Sequence, residues 1–160
     1  MPRQLRRRAP SDQPEDQWAE FADHVLEIAR EIQVRGYASP EAVSLTSSEG
    51  TVMRYLFRHP GALPSEVASA TGLQRSNLSA VLRGLEEKGL VDRVPDPEDG
   101  RWVRIQPTRQ AIRNYALVRR EWGSAVAAAA EGDPAVEAAL PLLAKVRAGL
   151  VRLRQGDGRR

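Results

Sequence analysis

Asp96-Pro97-Glu98-Asp99-Gly100-Arg101 is a charged turn between two short segments rich in β-branched residues. Asp-Pro and Asp-Gly are common turn formers, so residues 91–95 and 102–106 are predicted to pair as a β-hairpin. A helical segment over residues 76–88 precedes the hairpin and ends at Gly89, a residue suited to a helix terminus. A short helix, a turn with glycine, a second helix and a charged hairpin are typical of a winged helix-turn-helix. The predicted fold class is mainly α with this one small β-hairpin.

The second helix of the pair has an apolar side and a polar side. Its inner residues are Leu78, Val81, Leu82 and Leu85, while the opposite side is small and polar, which would let the helix enter a major groove of roughly 12 Å. We therefore predict that it contacts double-stranded DNA, and the alternative is an ordinary amphipathic helix with a solvated face. The predicted contact residues on this helix are Arg75, Ser76, Asn77, Ser79 and Arg83.

Gly84 interrupts the same helix. A glycine there costs about 0.5–1 kcal/mol relative to alanine unless a close contact requires it.

Ahead of the helix pair, the sequence Thr46-Ser47-Ser48-Glu49 predicts a capping box that opens another helix, with Thr46 as the cap and Glu49 reaching back to it.

The tip of the hairpin carries Asp99 and Arg101. An arginine on a projecting ribbon suits the narrow, electronegative minor groove, and a neighbouring aspartate can orient its guanidinium. Both residues are therefore predicted to belong to the DNA contact. The alternative is an ordinary polar turn.

Helical patterns also occupy both ends of the chain. The N-terminal pattern stops at Gly36, and two C-terminal helices are predicted, the first capped by Thr108 and ending near Ala130, the second opening at Asp133 and kinked or restarted at Pro141. Their apolar stripes predict a homodimer interface, with packing inside one chain as the alternative. The predicted interface residues are Trp18, Phe21, Val25, Ile28, Leu140, Leu143, Val146 and Leu150.

Composition excludes several classes of protein. The chain has 160 residues and no cysteine, which excludes disulfides and thiolate zinc sites, and the two histidines, His24 and His59, are far apart. No phosphate-binding glycine loop, nucleophile–histidine arrangement or metal-ligand spacing is visible, so the sequence predicts no enzyme, no cofactor and no metal. No apolar run has the length of a membrane span or a secretory signal, and a cytoplasmic protein is expected.

The net charge is only +3, and acids match bases between residues 75 and 104. Bulk charge is therefore weak support for nucleic-acid binding, and the placement of the arginines has to carry the prediction. Residues 1–13 are basic and are predicted to be a disordered arm, either without a specific role or touching phosphates or a minor groove. In the second case, removal of residues 1–8 should weaken DNA binding and flatten its salt dependence.

Residues 45–108 resemble the winged helix-turn-helix domain of the multiple antibiotic resistance regulator (MarR) family of bacterial transcription factors. The most specific stretch is Leu85-Glu86-Glu87-Lys88-Gly89-Leu90-Val91-Asp92-Arg93, followed at the expected spacing by Asp99, Arg101 and Thr108; Glu66-Val67-Ala68 and Gly72-Leu73 add to it. Two departures, Ala80 and Gly100 where many relatives are basic, suggest fewer phosphate contacts.

The resemblance implies a homodimer in which residues 14–36 and 109–155 form the dimerisation region and residues 156–160 a tail. It implies a pseudo-palindromic operator with half-site centres about one helical turn apart. We expect a repressor relieved by a lipophilic or phenolic effector between the dimerisation helices and the winged domain. Aromatic residues that would line this pocket, unless they only pack the core, are Trp18, Tyr37, Phe57, Tyr115 and Trp122.

The rival hypothesis is a winged-helix module that binds another protein and not an operator. The balanced charge of residues 75–104 keeps it open. A steep loss of binding to random duplex DNA with rising salt would favour the DNA-binding hypothesis.

Overall fold

The computed structural model describes residues 14–157, so the predicted basic arm, residues 1–13, lies outside the described residues. The described part contains six helices and one two-stranded sheet, which agrees with the predicted fold class. The elements are α1 Pro14–Arg35, α2 Ser47–Leu56, α3 Pro64–Thr71, α4 Arg75–Glu87, β1 Val91–Pro95, β2 Val103–Pro107, α5 Arg109–Ala129 and α6 Val136–Asp157.

Helix α1 forms a compact unit that ends at Gly36, and the second unit begins at Tyr37. Gly36 has a φ of +66°, the left-handed conformation that commonly ends a helix. Within α1, Trp18 and Phe21 pack edge to face with ring centroids 6.0 Å apart. The helix boundaries agree with the predicted ones to within a residue.

The second unit contains a buried apolar core between α2, α3, α4 and the hairpin. Leu56, Leu82, Leu85 and Ile105 are fully or almost fully buried in it. Burial of each such side chain contributes roughly 1.5–3 kcal/mol, which offsets part of the chain entropy lost on folding. Other members are Val52, Met53, Ala62, Val67, Leu78, Leu90, Val91 and Ala111.

Helices α2 and α5 begin at the predicted caps. The Thr46 hydroxyl accepts the Glu49 amide hydrogen while the Glu49 carboxylate accepts the Thr46 amide hydrogen, forming a capping box. Thr108 accepts the Ala111 amide hydrogen and donates its own hydroxyl to the Gly89 carbonyl at 2.7 Å. The second bond joins the start of α5 to the end of α4, and it orients α5 relative to the winged domain.

The hairpin is antiparallel, and its register pairs Val91 with Pro107 and Pro95 with Val103. Strand β2 begins one residue later than predicted because the Trp102 amide donates to the Asp99 carbonyl at 2.9 Å and therefore belongs to the turn. A third segment pairs with the hairpin, since Ile105 exchanges backbone hydrogen bonds of 3.0 Å with Gly61 and Ala62. The base of the β1–β2 hairpin, which is the wing of the fold, is thus attached to the loop between α2 and α3.

Helix α6 continues unbroken through Pro141, so the predicted restart is wrong. Pro141 is the sixth residue of the helix, and it lacks only the amide that would bond the Glu137 carbonyl, a local loss that the helix tolerates near its first turns. The helix also begins at Val136, three residues later than predicted, because the first bonds are i→i+3 bonds, such as that from the Glu137 amide to the Pro134 carbonyl at 3.1 Å. The Asp133 carboxylate caps this turn by accepting the Ala135 amide hydrogen.

No helix among residues 14–157 is both long enough and apolar enough to cross a membrane. The same residues contain no group of three or more histidine, aspartate or glutamate side chains that could hold a metal ion.

Candidate nucleic-acid interface

The outer face of α4 presents the small polar side chains that the sequence predicted. Its buried residues Leu78, Leu82 and Leu85 fix the rotation of the helix, and all five predicted contact residues are exposed. The Ser79 hydroxyl donates to the Arg75 carbonyl at 3.0 Å. Since its hydrogen is used within the helix, Ser79 offers an acceptor to a partner, which suits an amino group on a base edge.

A buried ion pair holds the other side of α4. The Glu49 carboxylate of α2 lies 2.6 Å from the Lys88 ammonium, which also donates to the Ser44 carbonyl at 3.0 Å. Burial opposes ionisation of Glu49, but the hydrogen bonds from Lys88 and from the Thr46 amide outweigh it and hold the pKa of Glu49 below its ordinary value. The Glu49 carboxylate therefore stays ionised near neutral pH, and its bond to Lys88 ties the end of α4 to α2.

Gly84 is the residue that lets this carboxylate approach α4. A Cβ atom at position 84 would lie 2.9 Å from a Glu49 carboxylate oxygen, closer than van der Waals contact allows. The sequence indicated that Gly84 is costly unless a close contact needs it, and Glu49 supplies that contact. Sequence reasoning placed Glu49 only in a capping box, because its pairing with Lys88 spans 39 residues.

At the tip of the wing, Asp99 holds Arg101 by a fork of hydrogen bonds. Arg101 Nε donates to Asp99 Oδ1 at 2.9 Å and Nη2 donates to Oδ2 at 2.8 Å. These bonds hold the pKa of Asp99 below its ordinary value and raise that of Arg101. The arginine side chain remains 89% exposed, so its direction is set while its outer edge stays available.

A second aspartate fixes the root of the wing. Asp96 Oδ1 accepts the amide hydrogens of Glu98 and Asp99, and Asp96 Oδ2 accepts from Arg104 Nε at 2.6 Å. Arg104 Nη1 also donates to the Gly61 carbonyl at 2.9 Å. The Glu98 amide and Arg104 together hold the pKa of Asp96 below its ordinary value. Sequence reasoning missed this pairing, although the two oppositely charged residues flank one turn of the predicted hairpin.

Ion pairs engage part of the acidic charge that balances the bases between residues 75 and 104. Within residues 75–104, Glu86 pairs with Arg93 at 2.6 Å, in addition to the pairs that Asp96 and Asp99 make. Three of the six acids of this segment are thus engaged with arginines, while Arg75 and Arg83 are exposed on α4. The balance of charge that kept the rival hypothesis open is therefore not evenly spread over the surface.

The predicted effector residues of the second unit form two stacked pairs. The rings of Phe57 and Tyr115 lie 4.1 Å apart, and those of Tyr37 and Trp122 lie 6.5 Å apart. Burial raises the pKa of Tyr37. Trp18 belongs to the other unit and is 56% exposed.

The predicted dimer residues are largely uncovered. Leu140 and Leu150 of α6 are 59% and 62% exposed, and Ile28 of α1 is 55% exposed. Leu143 and Val25 are also exposed, whereas Phe21 and Val146 are half-buried. Such a row of apolar side chains on α6 is unusual for a free surface.

Comparison with known proteins agrees with this geometry. Residues 43–101 match the sequence model of the MarR family. An uncharacterized HTH-type transcriptional regulator of Mycobacterium leprae is 30% identical over 101 residues, which are 61% of this chain and 68% of that protein.

Solved structures share the fold over most of the chain. A transcriptional regulator of Pseudomonas aeruginosa is 29% identical with a TM-score of 0.64, covering 91% of this chain and 99% of the other. A mutant of Staphylococcus aureus MepR bound to an oligodeoxyribonucleotide is 21% identical with a TM-score of 0.57, covering 83% and 97%, and this likeness concerns the fold alone. The chain therefore belongs to the MarR family of DNA-binding winged helix-turn-helix transcriptional regulators, and its relatives are regulators and not enzymes.

Proposed function

We propose that this protein is a homodimeric repressor that reads a pseudo-palindromic operator with α4 in the major groove and Arg101 in the adjacent minor groove. The observation that carries the proposal is the combination of an exposed polar face on α4 with an exposed arginine whose direction Asp99 fixes. Pre-oriented guanidinium groups bind narrow, electronegative grooves with little further loss of side-chain freedom.

The side chains on the exposed face of α4 fall into two groups according to their length. Ser76, Asn77 and Ser79 are short, so they suit base edges once the helix lies in the groove, and Asn77 has the amide that pairs with adenine. Arg75 and Arg83 are longer and suit phosphates or guanines. The Glu49–Lys88 pair and the close approach at Gly84 support this arrangement by holding α4 against α2.

The exposed leucines of α6 support the dimer. A winged domain of this size reads too few base pairs for useful affinity, whereas two linked copies bind adjacent half-sites together. Association through α6 and α1 would remove the apolar residues from water at the same time. The half-site centres are then expected about one helical turn apart.

A small lipophilic or phenolic effector would relieve repression by favouring a separation of the two α4 helices that misses successive major grooves. The stacked pairs Phe57–Tyr115 and Tyr37–Trp122 of the second unit would contact it.

The proposal is tested by a salt titration followed by a double substitution. Binding of the purified protein to random duplex DNA should fall steeply as salt rises, because arginines displace counterions from phosphates. For the best duplex selected from a random pool, Arg101→Ala combined with Asn77→Ala should abolish the preference over random DNA. If the protein does not bind random duplex at low salt, or if the double variant keeps the wild-type affinity for the selected duplex, the proposal is wrong.

A further inference from the structure

The end of α3 is held by an arginine from the far end of the chain. Helix α3 ends at Gly72, so the carbonyls of its last turn lack partners inside the helix. Arg154 of α6 donates through Nη2 to two of these carbonyls, those of Ala70 and, at 3.4 Å, Ser69. A cation at the carbonyl end of a helix is also favoured by the helix dipole.

Gly72 makes room for this guanidinium. A Cβ atom at position 72 would lie 2.9 Å from Arg154 Nη1 and 3.3 Å from Cζ, so the guanidinium lies directly against the glycine. The φ of Gly72 is +75°, a conformation that a residue with a side chain rarely adopts. The same glycine thus forms the turn of the helix-turn-helix and accepts the arginine from α6.

The contact connects two parts of the molecule with different tasks. Gly72 is three residues from Arg75, where α4 begins. Helix α6, on the other side of the contact, carries the exposed apolar residues Leu140 and Leu150. A single helix therefore presents an uncovered apolar row and also reaches the turn that leads into the proposed recognition helix.

We propose that Arg154 is a positioning residue: it ties α6 to the turn between α3 and α4, so that the packing of α6 sets the separation of the two recognition helices. This inference rests on the proposed dimeric operator binding. Arg154 acts through the turn and does not itself touch DNA.

The experiment compares Arg154→Met with Arg152→Met. Methionine keeps most of the length of the side chain but removes the charge and all donors. Arg152 is the matched control because it is exposed on the same helix and its loss changes the net charge equally.

The first measurement is hydrogen exchange in the free protein, which needs no DNA. Peptides covering residues 68–78 should exchange at least several-fold faster in Arg154→Met than in the wild type, because the end of α3 loses its side-chain donor. Arg152→Met should exchange like the wild type. Equal exchange in all three proteins overturns the inference whatever the protein binds.

The second measurement uses duplexes that carry two inverted copies of the half-site selected with the wild-type protein, with centres 8 to 12 base pairs apart, a range set about one helical turn of roughly 10 base pairs. The wild type should prefer one spacing, and Arg154→Met should bind that duplex about ten-fold more weakly while losing most of its discrimination between spacings. Its affinity for random DNA and its salt slope should equal those of Arg152→Met.

The outcomes separate this inference from the proposed function. A spacing preference unchanged in Arg154→Met overturns the positioning role and leaves operator binding intact. A salt slope reduced by about one per subunit in Arg154→Met but not in Arg152→Met also overturns it, because Arg154 would then contact phosphate directly. Absence of any wild-type binding to duplex DNA contradicts the proposed function, and the exchange measurement still decides the contact between α6 and the turn.

Discussion

The winged domain buries its large apolar residues, whereas helix α6 leaves many of its own exposed. Leu56, Leu82 and Leu85 are at most 1% exposed in the winged domain, whereas Leu150 and Leu153 of α6 are 62% and 67% exposed. The winged domain also pairs its buried carboxylates, such as Glu49 with Lys88. The winged domain thus encloses its apolar residues within one chain, whereas α6 leaves a row of them uncovered, which is what the proposed dimer interface would use.

The strongest test of this contrast places charges on the exposed apolar face of α6. Leu143→Glu with Leu150→Glu should prevent α6 from associating, because two carboxylates would have to be desolvated in each subunit. Operator affinity should then fall by about 10²–10⁴-fold, the usual benefit of linking two binding modules. Sedimentation equilibrium and fluorescence anisotropy with the selected duplex measure the two effects.

The control for this pair is Lys145→Glu, an exposed position on the same helix that also becomes acidic. It should remain dimeric. If the Leu143→Glu, Leu150→Glu protein remains dimeric, α6 does not form the proposed interface. The exposure of its leucines would then play no part in association.

A smaller effect is expected at the wing, where the charge is exposed but its direction is fixed. Arg101→Ala should weaken binding to the selected duplex on the order of 30-fold, since two charge-assisted contacts are lost per dimer. The salt slope should fall by about one per subunit. Arg101→Lys should restore the slope but little of the affinity, because lysine lacks the planar fork that Asp99 holds. Full affinity in Arg101→Lys would mean that the oriented fork contributes nothing.

Local sequence signals predicted much of the fold. The capping box at Thr46, the cap at Thr108 and the span of β1 follow from residues adjacent in sequence, so they could be predicted without tertiary information. The same holds for the exposed face of α4, because apolar periodicity fixes which side of a helix is buried.

Long-range contacts could not be predicted in this way. The Glu49–Lys88 pair and the contact of Arg154 with α3 join residues 39 and 84 positions apart. Exposed charged residues have many possible partners, and only the packed helices select one. The predicted restart at Pro141 was wrong for a related reason, since a proline in the sequence does not show whether the residues on either side of it continue the helix. The kink, which was the other predicted outcome, stays a prediction.

A further test compares a glycine in the packed winged domain with an exposed glycine in α5. Alanine is normally favoured over glycine inside a helix by about 1 kcal/mol. At Gly84 its Cβ would press on the Glu49 carboxylate, so Gly84→Ala should destabilise the protein by about 1–3 kcal/mol. At Gly123 of α5 the corresponding position has no atom within 4 Å beyond the backbone of its own helix and its chain neighbours, so Gly123→Ala should stabilise by about 0.5–1 kcal/mol. Urea unfolding measures both, and equal signs for the two variants would contradict the proposed close approach.

The smallest expected effect is on the pH dependence of the stability of the winged domain. Because the folded pKa of Glu49 lies below its ordinary value, about 4.5, its contribution to stability is complete above that pH and is lost as the pH falls through the folded pKa. Glu49→Gln should therefore lower stability at neutral pH and flatten the loss of stability below about pH 4.5. Glu87→Gln, an exposed change on α4, should keep the wild-type slope. Urea unfolding across the acidic range distinguishes them: if Glu49→Gln loses stability with acid as steeply as the wild type does, the buried pair does not anchor α4 and other carboxylates govern the acid sensitivity of the winged domain.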